Sequence, residues 1–497
     1  MTETLSDLLR RQPREAVALL APEREAMTYG GLADLCAAVM KTLRAAGLGA
    51  GNRLALVLPN GPDMAAGFVA VANALTAAPL NLAYTEEEFR FYLEDLRADA
   101  LLTDGAPSPA RRAAAALGLP IYTLTPGKRA GDFTIAAERP IARTNDTAGP
   151  ALVMHTSGTT ARPKLVLLST ANLLASAQNI RRSLRLSPAD RGLNIMPLFH
   201  IHGLVAGLLA PLAAGGSIFC TPGFNALKFF GWLAGSGSTW FTGVPTMHQA
   251  ILARADRNRD IIAAHPLRFI RSSSASLPAP VFEAMEQAFG CPVIEAYAMT
   301  ENAHQMTSND LPPGQRRPGM VGRAAGPEVA IMAEDGRLLP AGELGEVVTR
   351  GANVTEGYEN NPAANASAFA HGWFHTGDQG VMGEDGFLRL TGRLKELINR
   401  GGEKISPLEV DAVLLAHPAV AQALCFALPH DTLGEEVAAA IVPRAGQAVT
   451  EREVQDFARA RLAAFKVPKR VIMLEDIPKG PTGKLQRIGL AQKLGLG

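Results

Sequence analysis

The apolar positions of the chain fall into short blocks divided by polar, Gly- and Pro-bearing turns. Residues 53–58 form a compact apolar run closed by Pro59-Asn60-Gly61, which predicts a short buried strand. Before it, Ala37, Val39, Leu43 and Leu48 mark an amphipathic helix ending near Gly47. Residues 64–75 are Ala-rich and apolar on most sides, so a buried helix is expected there. Residues 78–82 lead into a further helix, whose start at Thr85 offers a capping hydroxyl. Glu86, Glu87 and Glu88 behind it suit the positive end of the helix dipole. An apolar strand at 151–154, strands running into turns or loops within 240–246, 269–277 and 292–301, and a helix over 172–186 continue the alternation. Such alternation predicts α/β layering with largely parallel sheets. Residues 126–149 are polar and weakly periodic and read as a surface connection.

The pattern changes near residue 392. Residues 392–405 are densely charged around Gly401-Gly402 and read as a linker to a final module of about 100 residues. That module is expected to carry helices at 407–415 and 451–462 and strands at 420–428 and 437–442. The expected organisation is a large N-terminal domain of layered α/β sheets, residues 1–394, and a smaller α+β domain, residues 395–497.

Composition narrows the function. The chain has 497 residues, is 47% hydrophobic and has a net charge of +1, so it can bury large cores and shows no basic arm for nucleic acid. Cys36, Cys220, Cys291 and Cys425 are scattered, with no paired spacing for zinc or a disulfide framework. Neither end resembles a secretory or peroxisomal address. Residues 192–227 carry no Asp, Glu, Lys or Arg, but Pro197, Pro211, Gly215 and Gly216 interrupt them, which favours a buried helix and strand over a membrane span. A cytoplasmic protein is expected, with no nucleic-acid or membrane partner; nothing in the pattern indicates an oligomeric state.

The densest candidate chemistry lies in residues 155–164, where an apolar strand runs into Thr156, Ser157, Gly158, Thr159, Thr160 and Lys164. Backbone N–H groups and hydroxyls there can donate to phosphoryl oxygens, and the lysine adds a point charge. The common P-loop pattern is absent, and a plain Ser/Thr linker would share the composition. His200 and His202 beside an apolar helix suit a structural role as readily as a chemical one. The small-residue loop after residue 273 leaves room for a flat ligand. Tyr297 can stack on a base, and Glu301 is suited to Mg²⁺. Asp378, expected at a strand-to-turn boundary, can accept from ribose hydroxyls. Lys484 lies in a Gly/Pro loop, where a solvated charge is the ordinary reading.

Taken together, residues 156–164, 197–203, 296–301, 342–351, 374–378, 392–404 and 478–484 resemble the motifs of the adenylate-forming superfamily of acyl-CoA synthetases, luciferases and peptide-synthetase adenylation domains. They occur in that family's order and span nearly the whole chain. A narrower likeness, carried by residues 196–203, 295–301, 304–309 and 396–406, is to the oxalate–CoA ligase branch. Ala298 there replaces the glycine that most relatives carry.

The resemblance implies ATP, Mg²⁺ and coenzyme A, and a carboxylate that is first adenylated and then transferred to the CoA thiol. It implies that Thr156, Ser157, Gly158, Thr159, Thr160 and Lys164 hold the phosphates. Thr300 bonds the α-phosphate and Glu301 holds the metal. Ala275, Ser276, Glu295, Ala296 and Tyr297 line the adenine slot, and Asp378 and Arg393 take the ribose. Lys484 bridges the attacking carboxylate and the α-phosphate, with His200 near the mouth between acyl pocket and CoA tunnel. The family's mobile C-terminal domain turns about a hinge matching Lys395, and Gly401, Gly402 and Lys404 meet CoA. For a small dianion such as oxalate, Ser274 and His304 are the expected donors; alternatively His304 caps a helix and faces solvent. Malonate or another short acid, a carrier-protein thiol in place of CoA, and a binding protein that has lost its chemistry are the competing readings.

Overall fold

The computed structural model describes residues 3–138, 141, 145–156, 163–480 and 484–496. Two large sheets form the N-terminal domain, with nine and seven strands among the described residues. Their inner strands pair in parallel and their edges are antiparallel, as in Tyr122↔Ala137 and Val153↔Leu167. The expected layering therefore holds, with the parallel pairing confined to the middle of each sheet. A wholly antiparallel four-stranded sheet follows, and a five-stranded sheet forms the core of the smaller C-terminal domain.

Local chemistry explains the elements. The helix Pro62–Ala74 buries Met64 through Ala72 without a polar face, which satisfies its all-round apolar pattern. The helix Glu86–Asp95 opens in a full capping box, in which Thr85 accepts from the Glu88 N–H and Glu88 accepts from the Thr85 N–H. The helix Thr170–Ser183 starts two residues before the pattern suggests, because Ser169 caps it. The helix Pro407–Leu415 begins at the expected residue behind its Ser406 cap.

Three expectations change. Residues 126–149 contain the strand Phe133–Ala137, an edge hairpin partner of Ile121–Pro126. Asp378 lies inside the strand Phe374–Met382 rather than at its end. Residues 392–405 are not one linker: Arg393 ends the strand Leu388–Arg393, and Ile398–Arg400 and Glu403–Ile405 form a hairpin in the C-terminal sheet. Only residues 394–397 separate the two sheets.

No helix among the described residues is long and apolar enough to cross a membrane. The apolar stretch after residue 200 is instead a π-helix, His202–Leu209, buried throughout. A Cβ on Gly203 would lie 2.2 Å from the Pro197 carbonyl oxygen, so only glycine fits where this helix starts.

Candidate active site

The site gathers at the C-terminal ends of neighbouring parallel strands, where open α/β sheets generally bind ligands. Trp240–Gly243, Phe269–Ser273 and Val293–Met299 lie side by side, with Thr242 opposite Arg271, Ser272 opposite Glu295 and Ser273 opposite Ala296. The loops leaving these ends carry Ser274 to Leu277 and Thr300 to Asn302. The four-stranded sheet adds Asp378 and Arg393, which are register partners.

Register dictates the first cluster. Asp378 Oδ1 accepts from Arg393 Nε at 2.9 Å, and Tyr297 donates its phenolic hydrogen to Asp378 Oδ2. Glu301 is buried and accepts from the Tyr358 hydroxyl at 2.8 Å. Burial raises the Glu301 carboxyl above its usual value, against the pull of Tyr358, Arg393 and Lys164. Lys164 Nζ stands 4.3 Å from the centroid of the Tyr358 ring. Thr156 N–H donates to the Lys164 carbonyl at 2.9 Å, and Lys164 N–H to Thr156 Oγ1 at 3.2 Å. These two bonds pin the stem of the expected phosphate loop. Ser157, Gly158, Thr159 and Thr160 lie outside the described residues.

Lys484 joins this cluster from the C-terminal domain. It is half-buried; Gly480 N–H donates to the Lys484 carbonyl at 2.7 Å, and Lys479 bridges to Leu485. Desolvation and the Arg393 charge bring its ammonium down to about 8, with Asp378 and Glu301 acting the other way. Arg487 donates to Asp411 Oδ2 at 2.7 Å, to Glu396 Oε2 at 3.2 Å and to the Cys425 carbonyl. Glu396 follows Lys395 directly, so one guanidinium ties the chain just after Lys484 to the segment between the sheets. His200 is held down to about 3 by burial and the Lys484 charge, and it accepts the His202 N–H on Nδ1 at 3.2 Å.

The second cluster is deeper. Arg271, His202 and His304 are all fully buried. The His202 and His304 rings stack at 4.7 Å. His202 meets Ser274 Oγ at 3.0 Å through Nδ1 and Thr242 Oγ1 at 2.6 Å through Nε2. Arg271 donates to His304 Nε2 at 3.1 Å and to Gln305 Oε1 at 3.1 Å. No carboxylate lies within ion-pair range of Arg271 among the described residues, and burial alone brings its guanidinium down, to about 9. Burial first, then Arg271, His200 and Lys484, hold His304 well below its ordinary value, so it is neutral. An arginine can only donate; His304 Nε2 therefore accepts and its proton resides on Nδ1. That Nδ1 has no partner among the described residues. His304 thus neither caps a helix nor faces solvent, and its φ of 103° and the Ser274 φ of 74° show backbone bent to aim both side chains.

Other expected residues are arranged differently. Ala275 and Ser276 line an exposed loop and Thr300 is half-buried. The Ala296 carbonyl accepts from Ser273 Oγ at 2.8 Å. Glu295 is 1% exposed and accepts the Leu277 N–H at 2.9 Å, so its carboxyl braces the loop that carries Ala275 and Ser276. Gly401, Gly402 and Lys404 are exposed on the hairpin, where Gly401 N–H meets the Leu433 carbonyl within the C-terminal domain. In this arrangement Lys484, and not the glycine turn, faces the cluster. Lys395 is exposed; burial first, and then the Lys395 charge, lower the Lys164 ammonium, while Glu301 acts the other way.

Arg271, Thr242, Gln305 and Tyr358 were given no role from the sequence. A lone arginine inside the run Phe269-Ile270-Arg271-Ser272-Ser273 is itself a signal, since buried cations are rare unless paired. Tyr358 has no comparable local mark.

Among the described residues, no group of three or more His, Cys, Asp or Glu side chains can hold a metal ion. A single carboxylate, Glu301, fits Mg²⁺, which is commonly held by one or two carboxylates plus the phosphates of its nucleotide.

Comparison with known proteins identifies the family. Residues 6–359 match the family described as AMP-binding enzyme, and residues 409–484 match the AMP-binding enzyme C-terminal domain. An oxalate–CoA ligase of Arabidopsis thaliana is 45% identical over 99% of this chain and 98% of its own length. One from Saccharomyces cerevisiae is 40% identical over 89% and 86%. The crystal structure of ATP-bound MatB from Rhodopseudomonas palustris superimposes with a TM-score of 0.88 at 29% identity, covering 100% of this chain and 98% of that one. The chain belongs to the AMP-binding enzyme family, the adenylate-forming superfamily of its ATP-dependent acid–thiol ligases.

Proposed function

We propose that the acid activated by this AMP-forming acyl-CoA synthetase is oxalate. The observation that carries the reading is the Arg271 guanidinium, buried without a carboxylate partner and next to the unpaired Nδ1–H of His304. A buried cation is costly unless an anion meets it. A short dicarboxylate supplies that anion with the carboxylate that does not react. Ser274 and the neutral His304 add donors at close quarters. The names of the plant and yeast relatives support the same acid.

In the first step a carboxylate oxygen of the acid attacks the α-phosphorus of ATP, the bond to pyrophosphate breaks, and acyl-AMP forms. The work is positioning and charge neutralisation. Thr156, Lys164 and the loop between them hold the terminal phosphates. Thr300 meets the α-phosphate, Tyr297 and the 274–277 loop border the adenine, and Asp378 with Arg393 takes the ribose. Mg²⁺ on Glu301 supplies charge neutralisation at the phosphates when bound. The Lys484 ammonium offsets repulsion between the two approaching anions.

In the second step the CoA sulfur attacks the acyl carbon, the bond to AMP breaks, and AMP leaves. The domain boundary falls at residues 394 and 395, and rotation about Lys395 exchanges Lys484 for the Gly401–Gly402 turn and Lys404. With its basicity depressed so far, His200 acts at the mouth as a neutral donor and wall, not as a base. The free thiols of the four buried cysteines suit a reducing cytoplasm.

The test is CoA-dependent AMP release from ATP with oxalate, malonate, succinate, acetate and a cinnamate. Preference for oxalate, lost in His304→Ala while ATP binding survives, is expected. Preference for malonate or acetate overturns the oxalate reading and leaves the adenylate chemistry; AMP formed only with a carrier-protein thiol overturns CoA as acceptor.

A further inference from the structure

Tyr358 lies between two groups that the proposed reaction needs and that come from distant parts of the chain. Its hydroxyl donates to Glu301 Oε1, and the ammonium of Lys164 rests over its ring. The residue is 6% exposed and is fixed far more firmly than packing alone demands. Its N–H donates to Asn365 Oδ1 and its carbonyl accepts from Asn365 Nδ2, each at 2.8 Å. It bridges to Val166 on the strand leaving the phosphate loop. The next residue, Glu359, accepts the Arg53 guanidinium through both oxygens at 2.7 and 2.6 Å, and its N–H meets the Leu165 carbonyl at 3.0 Å.

We propose that Tyr358 is a positioning residue for the metal–nucleotide complex. Its hydroxyl fixes the Glu301 carboxylate in the orientation that meets Mg²⁺, and its ring face holds Lys164 until the phosphates arrive. The assignment rests on the function proposed above. A donor fixed on one oxygen of a carboxylate stops it from turning and leaves the other oxygen for the cation; outer partners of this kind typically set metal affinity by about 10–100-fold. An ordinary phenol is protonated at neutral pH, so the hydroxyl is a donor there. The cation–π contact holds the ammonium over the ring, yet it is weak enough to be surrendered to a polyphosphate.

Two variants separate the two roles. Mn²⁺ replaces Mg²⁺ as the probe, and its uptake by protein with ATP and no acid is followed by loss of the free-ion paramagnetic resonance signal. Metal-free ATP binding is measured by calorimetry with a chelator present. Tyr358→Phe keeps the ring and is expected to weaken Mn²⁺ binding about tenfold or more, with metal-free ATP binding within about twofold. Tyr358→Leu loses the metal to the same extent and strengthens metal-free ATP binding about two- to threefold, because Lys164 no longer has to leave a ring.

Unchanged Mn²⁺ affinity in folded Tyr358→Phe overturns the role of the hydroxyl. Equal metal-free ATP binding in the two variants overturns the role of the ring. Wild-type protein that takes up no Mn²⁺ with ATP overturns the proposed function itself.

Discussion

The two halves of the site balance charge in opposite ways. On the nucleotide side, Arg393 faces Asp378, and Lys164 and Glu301 share Tyr358 between them. Lys484 there feels two carboxylates as well as Arg393. In the deeper cluster, the partners of Arg271 among the described residues are histidines, Thr242 and Gln305, all neutral. The first half is a set of groups prepared for a ligand that brings its own cation. The second is a buried positive charge without a counter-charge among the described residues, which the proposed function assigns to the acid. On the function proposed above, the family chemistry resides in the balanced half, and the choice of acid in the unbalanced one.

Breaking the unbalanced half should have the larger consequence for oxalate. Arg271→Met keeps the volume and removes the charge, leaving the distal carboxylate of a bound dianion buried without a partner. Such a loss typically costs about 3–5 kcal/mol, on the order of 10³-fold in kcat/KM. Metal-free ATP binding should stay within about twofold. Equal loss of oxalate and ATP binding would show instead that Arg271 merely holds the fold.

Breaking the balanced half should be indifferent to the acid. Lys484→Ala is expected to lower adenylation about 10²–10³-fold with every acid that the enzyme accepts. Thioester formation from supplied acyl-AMP should survive, and equal loss in both half-reactions would defeat the assignment. The wild-type lysine adds a pH signature. An ammonium brought down to about 8 is charged below that pH, so kcat/KM for adenylation should fall as pH rises through about 8.

The same division marks what could be read from the sequence. The nucleotide half is built from contiguous stretches, and Asp378 and Arg393 meet because two adjacent strands set them in register. Motif order was enough to find them. The acyl half is assembled across the sheet: Arg271 and His304 lie on strands separated by Val293–Met299 and touch only because residues 303 and 304 take positive φ. No local pattern encodes that turn for Ala303 and His304. Tyr358 likewise reaches Glu301 by tertiary packing alone. The missed strand Phe133–Ala137 is an edge with only Phe133 buried, so its alternation is faint. The hairpin around Gly401 and Gly402 looked like a linker because charged residues cover it on the outside.

The smallest expected effect on turnover sharpens the comparison from below, at Glu295. This carboxyl lies beneath the balanced half, accepts the Leu277 N–H through Oε1, and has no partner for Oε2 among the described residues. Burial raises it to about 8, so at pH 7 it is a neutral group supporting a loop. A carboxyl raised in the folded state contributes stability that is fully present below its unfolded pKa, near 4.5, and is lost as pH rises through 8. Glu295→Gln keeps the acceptor for Leu277 and cannot ionise. Its turnover at pH 7 should lie within about twofold of wild type. Urea midpoints should coincide at pH 4, below the unfolded pKa, and at pH 9 the variant should be the more stable by on the order of a few kcal/mol. A difference that stays constant across that range would mean that the Glu295 charge is compensated on folding, and that the support beneath the nucleotide half is ionic after all.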